Sequence, residues 1–251
     1  MRYCCKVAYS GEHYLGFQRQ SKGKTIQSEI ERQLSLLCGT QTEIRAAGRT
    51  DAGVHALGQT FTFDSAPIED TKAFLKAFNR LLPEDILILG IASVADDFDA
   101  RYSAIGKKYR YQFTINQRDP LLTGKIAQLR RDDFEFDGFL RGIKPFIGKH
   151  NFQNFTTKPT DRYGFVRTIT DINATLAEDG NTVTVVFTGD GFMRYQIRLM
   201  LGAAFRVATG KMDVSFIEES LTNQVRDIVP YKAPAEGLCL MEVIYETGPV
   251  F

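Results

Sequence analysis

Hydrophobic and polar residues alternate along short stretches of the first half of the chain, and such alternation predicts β-strands. Residues 3–9 and 57–63 show it, and the continuous apolar run at 86–92 predicts a further, buried strand. Between these stretches, apolar residues recur at helical spacing. The predicted helices run from a Thr25 cap to Gly39 and from an Asp70 cap to Pro83.

The second half of the chain repeats this arrangement. Strands are predicted around residues 109–115, 172–176 and 183–187, and a long helix is predicted over about 192–208. The stretch at about 116–145 is the least regular part and is predicted to be an insertion. Because strands and helices interleave in both halves, the sequence predicts an α+β fold with a mixed, largely antiparallel sheet.

The composition is typical of a globular protein. Of 251 residues, 43% are hydrophobic and 24% are charged, which is ordinary for soluble domains. The opening MRYCCKVAYS lacks the form of a secretion signal, and the most apolar segment, 195–205, is interrupted by Arg198 and is too short to span a membrane. The four cysteines show no metal-ligand spacing, so we expect reduced thiols in the cytoplasm.

Charge is distributed unevenly along the chain. The net charge is only +1, but residues 101–211 carry 18 Lys and Arg against 10 Asp and Glu, a net of +8. Residues 1–100 carry a net charge of −2, and residues 212–251 carry −5. A polyanion such as RNA is expected to bind the basic middle of the chain, although a solvated lysine-rich surface has the same composition.

The segment AAGRTDAGVHALGQTF at 46–61 holds the most informative charged residues. Arg49 and Asp51 lie between Gly48 and Gly53, which mark a bend in the backbone. An aspartate in such a loop is a candidate nucleophile, and an arginine two residues away can orient an anionic group. Spacing alone favours a surface turn in which the two side chains pair with each other.

Arg198 is the second candidate, because it lies in the apolar run of the last predicted helix. A guanidinium is costly to bury without a partner, so a carboxylate is expected to face it, and Asp51 is the candidate partner. An opposite charge nearby keeps a carboxylate ionised. The spacing is equally compatible with an Arg198 side chain that extends its charge to the surface.

Six blocks of sequence resemble, in order, the motifs of the TruA family of tRNA pseudouridine synthases. GRTDAGVHA resembles the family signature, and VAYSGEHYLGFQRQ at 7–20 resembles its first strand and turn. The other matching blocks are DDFDARYSAIGKKYRYQF at 96–113, KHNFQNFT at 149–156, FTGDGFMRYQIRLMLGAAFRVATGK at 187–211 and APAEGLCLMEVIY at 233–245. Because the blocks extend over nearly the whole chain, the resemblance is strong.

The resemblance implies the pseudouridine synthase fold, in which two similar α/β subdomains share one sheet with a cleft between them. We expect an N-terminal subdomain at 1–105 that carries the catalytic aspartate and a C-terminal subdomain at 106–251. The resemblance also implies a homodimer that modifies positions 38, 39 and 40 in the anticodon arm of tRNA. The sequence contains no P-loop, dinucleotide fingerprint or metal-ligand cluster, so neither a cofactor nor a metal is expected.

The same resemblance implies the site residues. Asp51 is the nucleophile, Arg198 holds it ionised, and Arg49 fills the space that a flipped base leaves or grips a phosphate. Tyr109 matches the family tyrosine that packs on the base, although its place in an apolar row also suits a core residue. The remaining substrate-side residues are His55, Lys107 and Lys108, together with Leu238 and Leu240 at the floor of the pocket. For His55, a proton-shuttle role is the less favoured alternative.

Departures from the family pattern are few. Asn151 stands where the family usually has Asp, which weakens an acid–base role at that position but leaves RNA contact open. Two alternatives remain at this point. One is a paralogue with the same chemistry on another RNA uridine. The other is a catalytically silent RNA-binding protein or folding chaperone, against which the intact Asp51 argues.

Overall fold

The computed structural model describes residues 1–116, 118–158, 160, 164–223 and 226–251. By its internal contacts the chain divides into two compact units. The first unit is formed by Met1–Gly106 together with Cys239–Phe251, and the second by Lys107–Leu238. The predicted boundary near residue 105 assigned the last segment to the C-terminal subdomain, whereas this segment packs within the first unit.

The described ranges contain both strands and helices, which confirms the predicted α+β class. The strands are β1 (Arg2–Tyr9), β2 (Arg45–Ala46), β3 (His55–Asp64), β4 (Ile86–Val94), β5 (Ala104–Thr114), β6 (Ala127–Gln128), β7 (Gly148–Asn151), β8 (Val166–Leu176), β9 (Thr182–Gly189) and β10 (Leu238–Tyr245). The α-helices are α1 (Ile26–Cys38), α2 (Thr71–Leu81), α3 (Phe136–Ile143), α4 (Gln196–Ala208) and α5 (Val214–Thr222). Short 3-10 helices occur at Pro120–Leu122, Lys144–Phe146 and Gln153–Phe155.

The sheet of the first unit has the order β4–β1–β3–β10, and β2 also pairs with β3. Strand β1 is antiparallel to β3 and β4, whereas β10 is parallel to β3. Tyr3 and Cys5 of β1 lie opposite Phe63 and Phe61 of β3, and all four are buried. Phe74 of α2 stacks on Phe63 with a centroid distance of 6.4 Å. The core of this unit therefore lies between one face of the sheet and the helices.

The helix signals of the first unit act where the sequence predicts them. The Thr25 hydroxyl accepts a hydrogen bond from the Ser28 N–H at 3.2 Å, and Gly39 ends α1 in the left-handed conformation, with φ of 67°. The Asp70 carboxylate accepts the N–H groups of Lys72 and Ala73 at 3.0 and 2.9 Å. Both predicted helices are thereby confirmed.

The prediction that 86–92 is a buried strand is wrong in one respect. Strand β4 forms there, but Leu87 and Leu89 are 49% and 44% exposed. Within the described residues β4 pairs only with β1. Because its outward residues are as apolar as its inward ones, the sequence pattern could not reveal that one face is exposed. The Asn79 side chain bonds both the N–H and the carbonyl of Ile88, at 2.8 Å each.

The sheet of the second unit has the order β5–β9–β8–β7, all antiparallel, and β6 pairs parallel with β5. Helices α3 and α4 pack against each other. Phe113 of β5 contacts Phe134, Phe139 and Phe205, with ring centroids 5.6, 5.6 and 4.9 Å away. The stretch 116–145, predicted to be irregular, therefore contributes α3 and two aromatic side chains to this core.

Two further expectations concern the chain as a whole. In the ranges that the structure describes, no helix has the length and apolar character needed to cross a bilayer. The four cysteines all lie in these ranges and form no disulfide with one another. Burial raises the pKa of the Cys4 thiol to about 12, so this thiol is protonated at neutral pH.

Candidate active site

The segment that leads to Asp51 is held along the edge of β3. Strand β2 pairs Ala46 with Phe61, and the Ala47 N–H then donates to the Thr60 carbonyl at 2.9 Å. One residue further, the Gln59 side-chain amide donates to the Gly48 carbonyl at 3.0 Å. Because Gln59 is fully buried, this contact holds the loop from inside the fold rather than from solvent.

Thr50, directly before Asp51, is held from two sides. Its hydroxyl and that of Tyr9 share a buried hydrogen bond of 2.8 Å. Its carbonyl accepts the Phe17 N–H at 3.0 Å. Gly16 makes this approach possible, since a Cβ on Gly16 would lie 2.8 Å from the Thr50 carbonyl oxygen. The Val54 N–H then closes a turn onto the Asp51 carbonyl at 3.1 Å.

The result is a carboxylate on a loop whose backbone is fixed before and after it. Asp51 is half-buried, and Arg49 is exposed. Arg49 forms no ion pair with a described carboxylate, so the surface turn in which Arg49 and Asp51 pair with each other is not what the structure shows. A preorganised, partly desolvated carboxylate is suited to nucleophilic chemistry.

His55, at the start of β3, ties the neighbouring loop to this segment. Its Nδ1 accepts the Gly11 N–H at 3.1 Å, and the Ser10 hydroxyl lies 3.5 Å from the same atom. A ring nitrogen that accepts from a backbone N–H carries no proton of its own. Nδ1 of His55 is therefore unprotonated, and the ring holds the Gly11 segment at the start of β3.

In the second unit, Tyr109 and the two candidate lysines lie on β5. Tyr109 is 8% exposed, and its ring packs edge-to-face against Phe192 at 5.3 Å. Lys107 is half-buried and Lys108 is exposed. Two residues beyond Tyr109, burial raises the pKa of the Tyr111 hydroxyl well above its usual range. This hydroxyl stays protonated and donates to the carbonyl of Pro234 at 3.1 Å.

Arg198 is buried inside the second unit. It lies on α4, it is 8% exposed, and its Nε donates to the Ala233 carbonyl at 2.8 Å. The Ala233 N–H donates back to the Arg198 carbonyl at 2.8 Å. The alternative in which this side chain extends its charge to the surface is therefore wrong. A buried guanidinium of this kind calls for a negative partner.

Leu238 and Leu240, the predicted pocket floor, are both buried. They are 6% and 0% exposed and belong to β10. Leu240 lies opposite Ala56 in the parallel pairing of β10 with β3, next to the Cys239–His55 pair. Within the first unit, the structure thus brings Leu240 to the strand that begins with His55.

Sequence reasoning identified the charged residues but missed those that hold them. The Tyr9–Thr50 bond joins residues 41 positions apart, so no local pattern signals it. The glycine in YLGFQ was a visible signal for the close approach at Gly16. No cluster of three or more His, Cys, Asp or Glu that could hold a metal occurs among the residues described.

Comparison with known proteins identifies the class of enzyme first. A family profile described as tRNA pseudouridine synthase matches residues 6–103 and 143–246, most of the chain. Pseudouridine synthases are isomerases, and the chain belongs to this class of enzyme.

Comparison with individual proteins then identifies the family. The tRNA pseudouridine synthase A of Staphylococcus aureus strain MRSA252 is 34% identical over 244 residues, covering 97% of this chain and 91% of the relative. The same enzyme of strain JH1 is also 34% identical, covering 97% and 90%. The chain belongs to the TruA family of tRNA pseudouridine synthases and isomerises uridine in tRNA.

Proposed function

We propose that the chain converts uridine to pseudouridine at positions 38, 39 and 40 of the tRNA anticodon arm, in the cytoplasm and as a homodimer. The family membership and the motif blocks over nearly the whole chain support this assignment. The reaction changes no oxidation state and imports no group, so it requires no cofactor.

The reaction moves one bond and one proton. The bond between uracil N1 and ribose C1′ breaks, the uracil turns, and a bond forms between C5 and C1′. The C5 proton is lost and N1 gains a proton, so the product is an isomer of the substrate. In our proposal Asp51 attacks either C1′ or C6 and leaves again at the end.

Each remaining site residue has a proposed role. Arg198 keeps Asp51 ionised, and Arg49 occupies the space of the flipped base or binds a phosphate. Tyr109 packs on the target base, to which aromatic stacking contributes about 1–3 kcal/mol. The residues proposed to line the pocket or contact the RNA are Leu238, Leu240, His55, Lys107 and Lys108.

The observation that carries this proposal is the fixation of the loop around Asp51. Thr50 is held through both its hydroxyl and its carbonyl, and the Asp51 carbonyl closes a turn with the Val54 N–H. A carboxylate that must meet one atom of a flipped base needs such rigidity, because effective concentration depends on orientation.

The test is Asp51→Asn, assayed with a tRNA transcript by mapping pseudouridine at each uridine. We expect the single-turnover rate to fall by more than about 10³-fold while RNA affinity is retained, because the amide keeps the shape but not the nucleophile. The matched control is Asp97→Asn, an exposed aspartate of the same unit, which should keep the rate.

Each outcome distinguishes a different hypothesis. An Asp51→Asn variant that keeps more than a few per cent of the rate removes Asp51 from its role. Product at uridines outside positions 38–40 supports the paralogue. Tight RNA binding by the wild type without any product supports the silent RNA-binding protein.

A further inference from the structure

Three cationic side chains of the second unit converge on one aromatic ring. The Arg194 and Arg198 guanidinium carbons lie 4.8 and 5.4 Å from the Tyr195 ring centroid. The Lys232 ammonium lies 4.2 Å from the same centroid. One Arg194 nitrogen also donates to the Tyr195 hydroxyl at 3.0 Å. We call Arg194, Tyr195 and Lys232 the cation cluster.

The segment that carries Lys232 is built tightly onto α4. Arg198 and Ala233 exchange two hydrogen bonds of 2.8 Å, one through the Arg198 side chain and one through its carbonyl. Because Gly202 of α4 has no side chain, the backbone at Tyr231 can pass close to the helix. A Cβ on Gly202 would lie 2.3 Å from the Tyr231 carbonyl oxygen. The backbone that carries Lys232 is therefore held beside α4, and the Lys232 side chain reaches Tyr195 from there.

Arg194 is fixed in a comparable way. Its carbonyl accepts the hydroxyl of Thr156, a fully buried residue, at 3.0 Å. The next residue, Tyr195, has φ of 63° and is one of two described non-glycine residues with positive φ. This conformation is unfavourable for a side chain, and such strain concentrates at binding and catalytic sites.

No described acidic group balances the exposed cations of this cluster. Arg194 and Lys232 are exposed, and neither forms an ion pair with a described carboxylate. The ring face attracts a cation weakly, by about 0.5–1 kcal/mol at exposed sites. Like charges held this close repel one another, and a bound anion would relieve that repulsion.

We infer that the cation cluster is a subsite for one phosphate group of the RNA backbone, an inference that rests on the proposed function. Arg194 offers two parallel N–H donors that match two phosphate oxygens, and Lys232 adds a compact positive charge. Both cations lie within 4.8 Å of the Tyr195 ring centroid. The role is to position the RNA, and the bond-breaking step lies outside it.

The experiment measures binding of a full-length tRNA transcript by the intact chain across a range of salt concentrations. Each phosphate that the protein neutralises contributes about 0.7–0.9 to the slope of log K against log salt. Because the cluster is proposed to hold one phosphate, we expect the double variant Arg194→Gln, Lys232→Gln to lower that slope by about 0.7–0.9. The charge-conserving pair Arg194→Lys, Lys232→Arg should keep most of the slope.

Two exposed cations of the first unit provide the matched control. Arg80→Gln, Lys76→Gln removes the same charge outside both the cluster and the basic region at 101–211, and it should leave the slope near that of the wild type. Thermal unfolding of each variant checks that the fold is intact. An equal loss of slope in cluster and control variants, or no loss in the cluster variant, would overturn the proposal.

Inorganic phosphate distinguishes a backbone phosphate from a small free anion. One outcome would be that the wild type binds phosphate with a dissociation constant below about 1 mM and the double variant does not, while both proteins bind RNA equally. The site would then take a free anion, and the RNA proposal would be wrong. Failure of the proposed function has a different signature: the wild type would bind tRNA with the full slope but form no pseudouridine.

Discussion

At the scale of single residues, the position of Asp51 depends on the absence of a side chain at Gly16. A Cβ on Gly16 would meet the Thr50 carbonyl oxygen at 2.8 Å, and Gly16 also has φ of +98°. Gly16→Ala should therefore displace the loop. We expect the single-turnover rate to fall by about 10²-fold, because a shift of about 1 Å at a reacting group costs that much, while RNA affinity changes little.

A control substitution distinguishes backbone strain at a positive-φ position from displacement of the loop that carries Asp51. Gly39 also has positive φ, +67°, but a Cβ there would meet nothing within 4 Å. Gly39→Ala should lower the free energy of unfolding by about 1 kcal/mol and leave the rate unchanged. If Gly16→Ala behaves like Gly39→Ala, the contact at Thr50 does not position Asp51.

Arg198 carries a positive charge although its side chain is buried. Replacement by Met keeps much of the volume and removes the charge. If Arg198 keeps Asp51 ionised, we expect Arg198→Met to lower the rate at least about 10-fold, and more at pH 5 than at pH 8, because an unassisted carboxylate takes up a proton more readily. Rates measured across pH 5–8 test this.

Arg206→Met controls for the structural part of that loss. Arg206 lies on the same helix and stacks on Tyr231 at 4.4 Å, in the segment that Arg198 also contacts. The control removes a packed guanidinium without removing the proposed partner of Asp51. A parallel loss in both variants, with flat pH profiles, would show that Arg198 acts only by holding the fold.

At the scale of elements, local signals predicted helices better than strand faces. Caps at Thr25 and Asp70 lie within three residues of the groups they satisfy, so the sequence displays them. The exposed face of β4 is invisible because its alternate residues are equally apolar. The register of β3 breaks between Ala56 and Gln59, which leaves Leu57 46% exposed despite its place in the predicted alternation.

The start of helix α4 is a second feature that the local sequence pattern did not predict correctly. Its apolar run predicted a helix from about 192, but the helix begins at Gln196 because Tyr195 adopts a left-handed conformation. The residues of the cation cluster are separated by 37 positions between Tyr195 and Lys232, so only the folded chain reveals them. The candidate site divides likewise: a motif marked Asp51 and a glycine in YLGFQ signalled the close approach at Gly16, whereas the support from Tyr9 required the structure.

At the scale of the whole molecule, a nearly neutral chain conceals a basic region. Residues 101–211 carry a net charge of +8, and the flanking regions are acidic. Binding to RNA releases counterions from phosphates, so affinity should fall steeply with salt in proportion to the cations engaged. Lys107, Lys108, Lys149 and Lys158 belong to the basic region, and replacing all four by Ala should flatten the salt dependence by about 2–3 in slope.

The informative comparison is with four lysines of the acidic first hundred residues. Lys22, Lys24, Lys72 and Lys76 are all exposed. Replacing these four by Ala gives a variant with the same net charge as the variant of the basic region. If location decides, titrations of tRNA at low and high salt show a flattened slope only when the basic region is changed. Counterion release counts only cations that lie close to phosphates, so a defined RNA path over residues 101–211 requires different slopes in the two variants. Equal slopes would mean that total charge, and not such a path, governs binding.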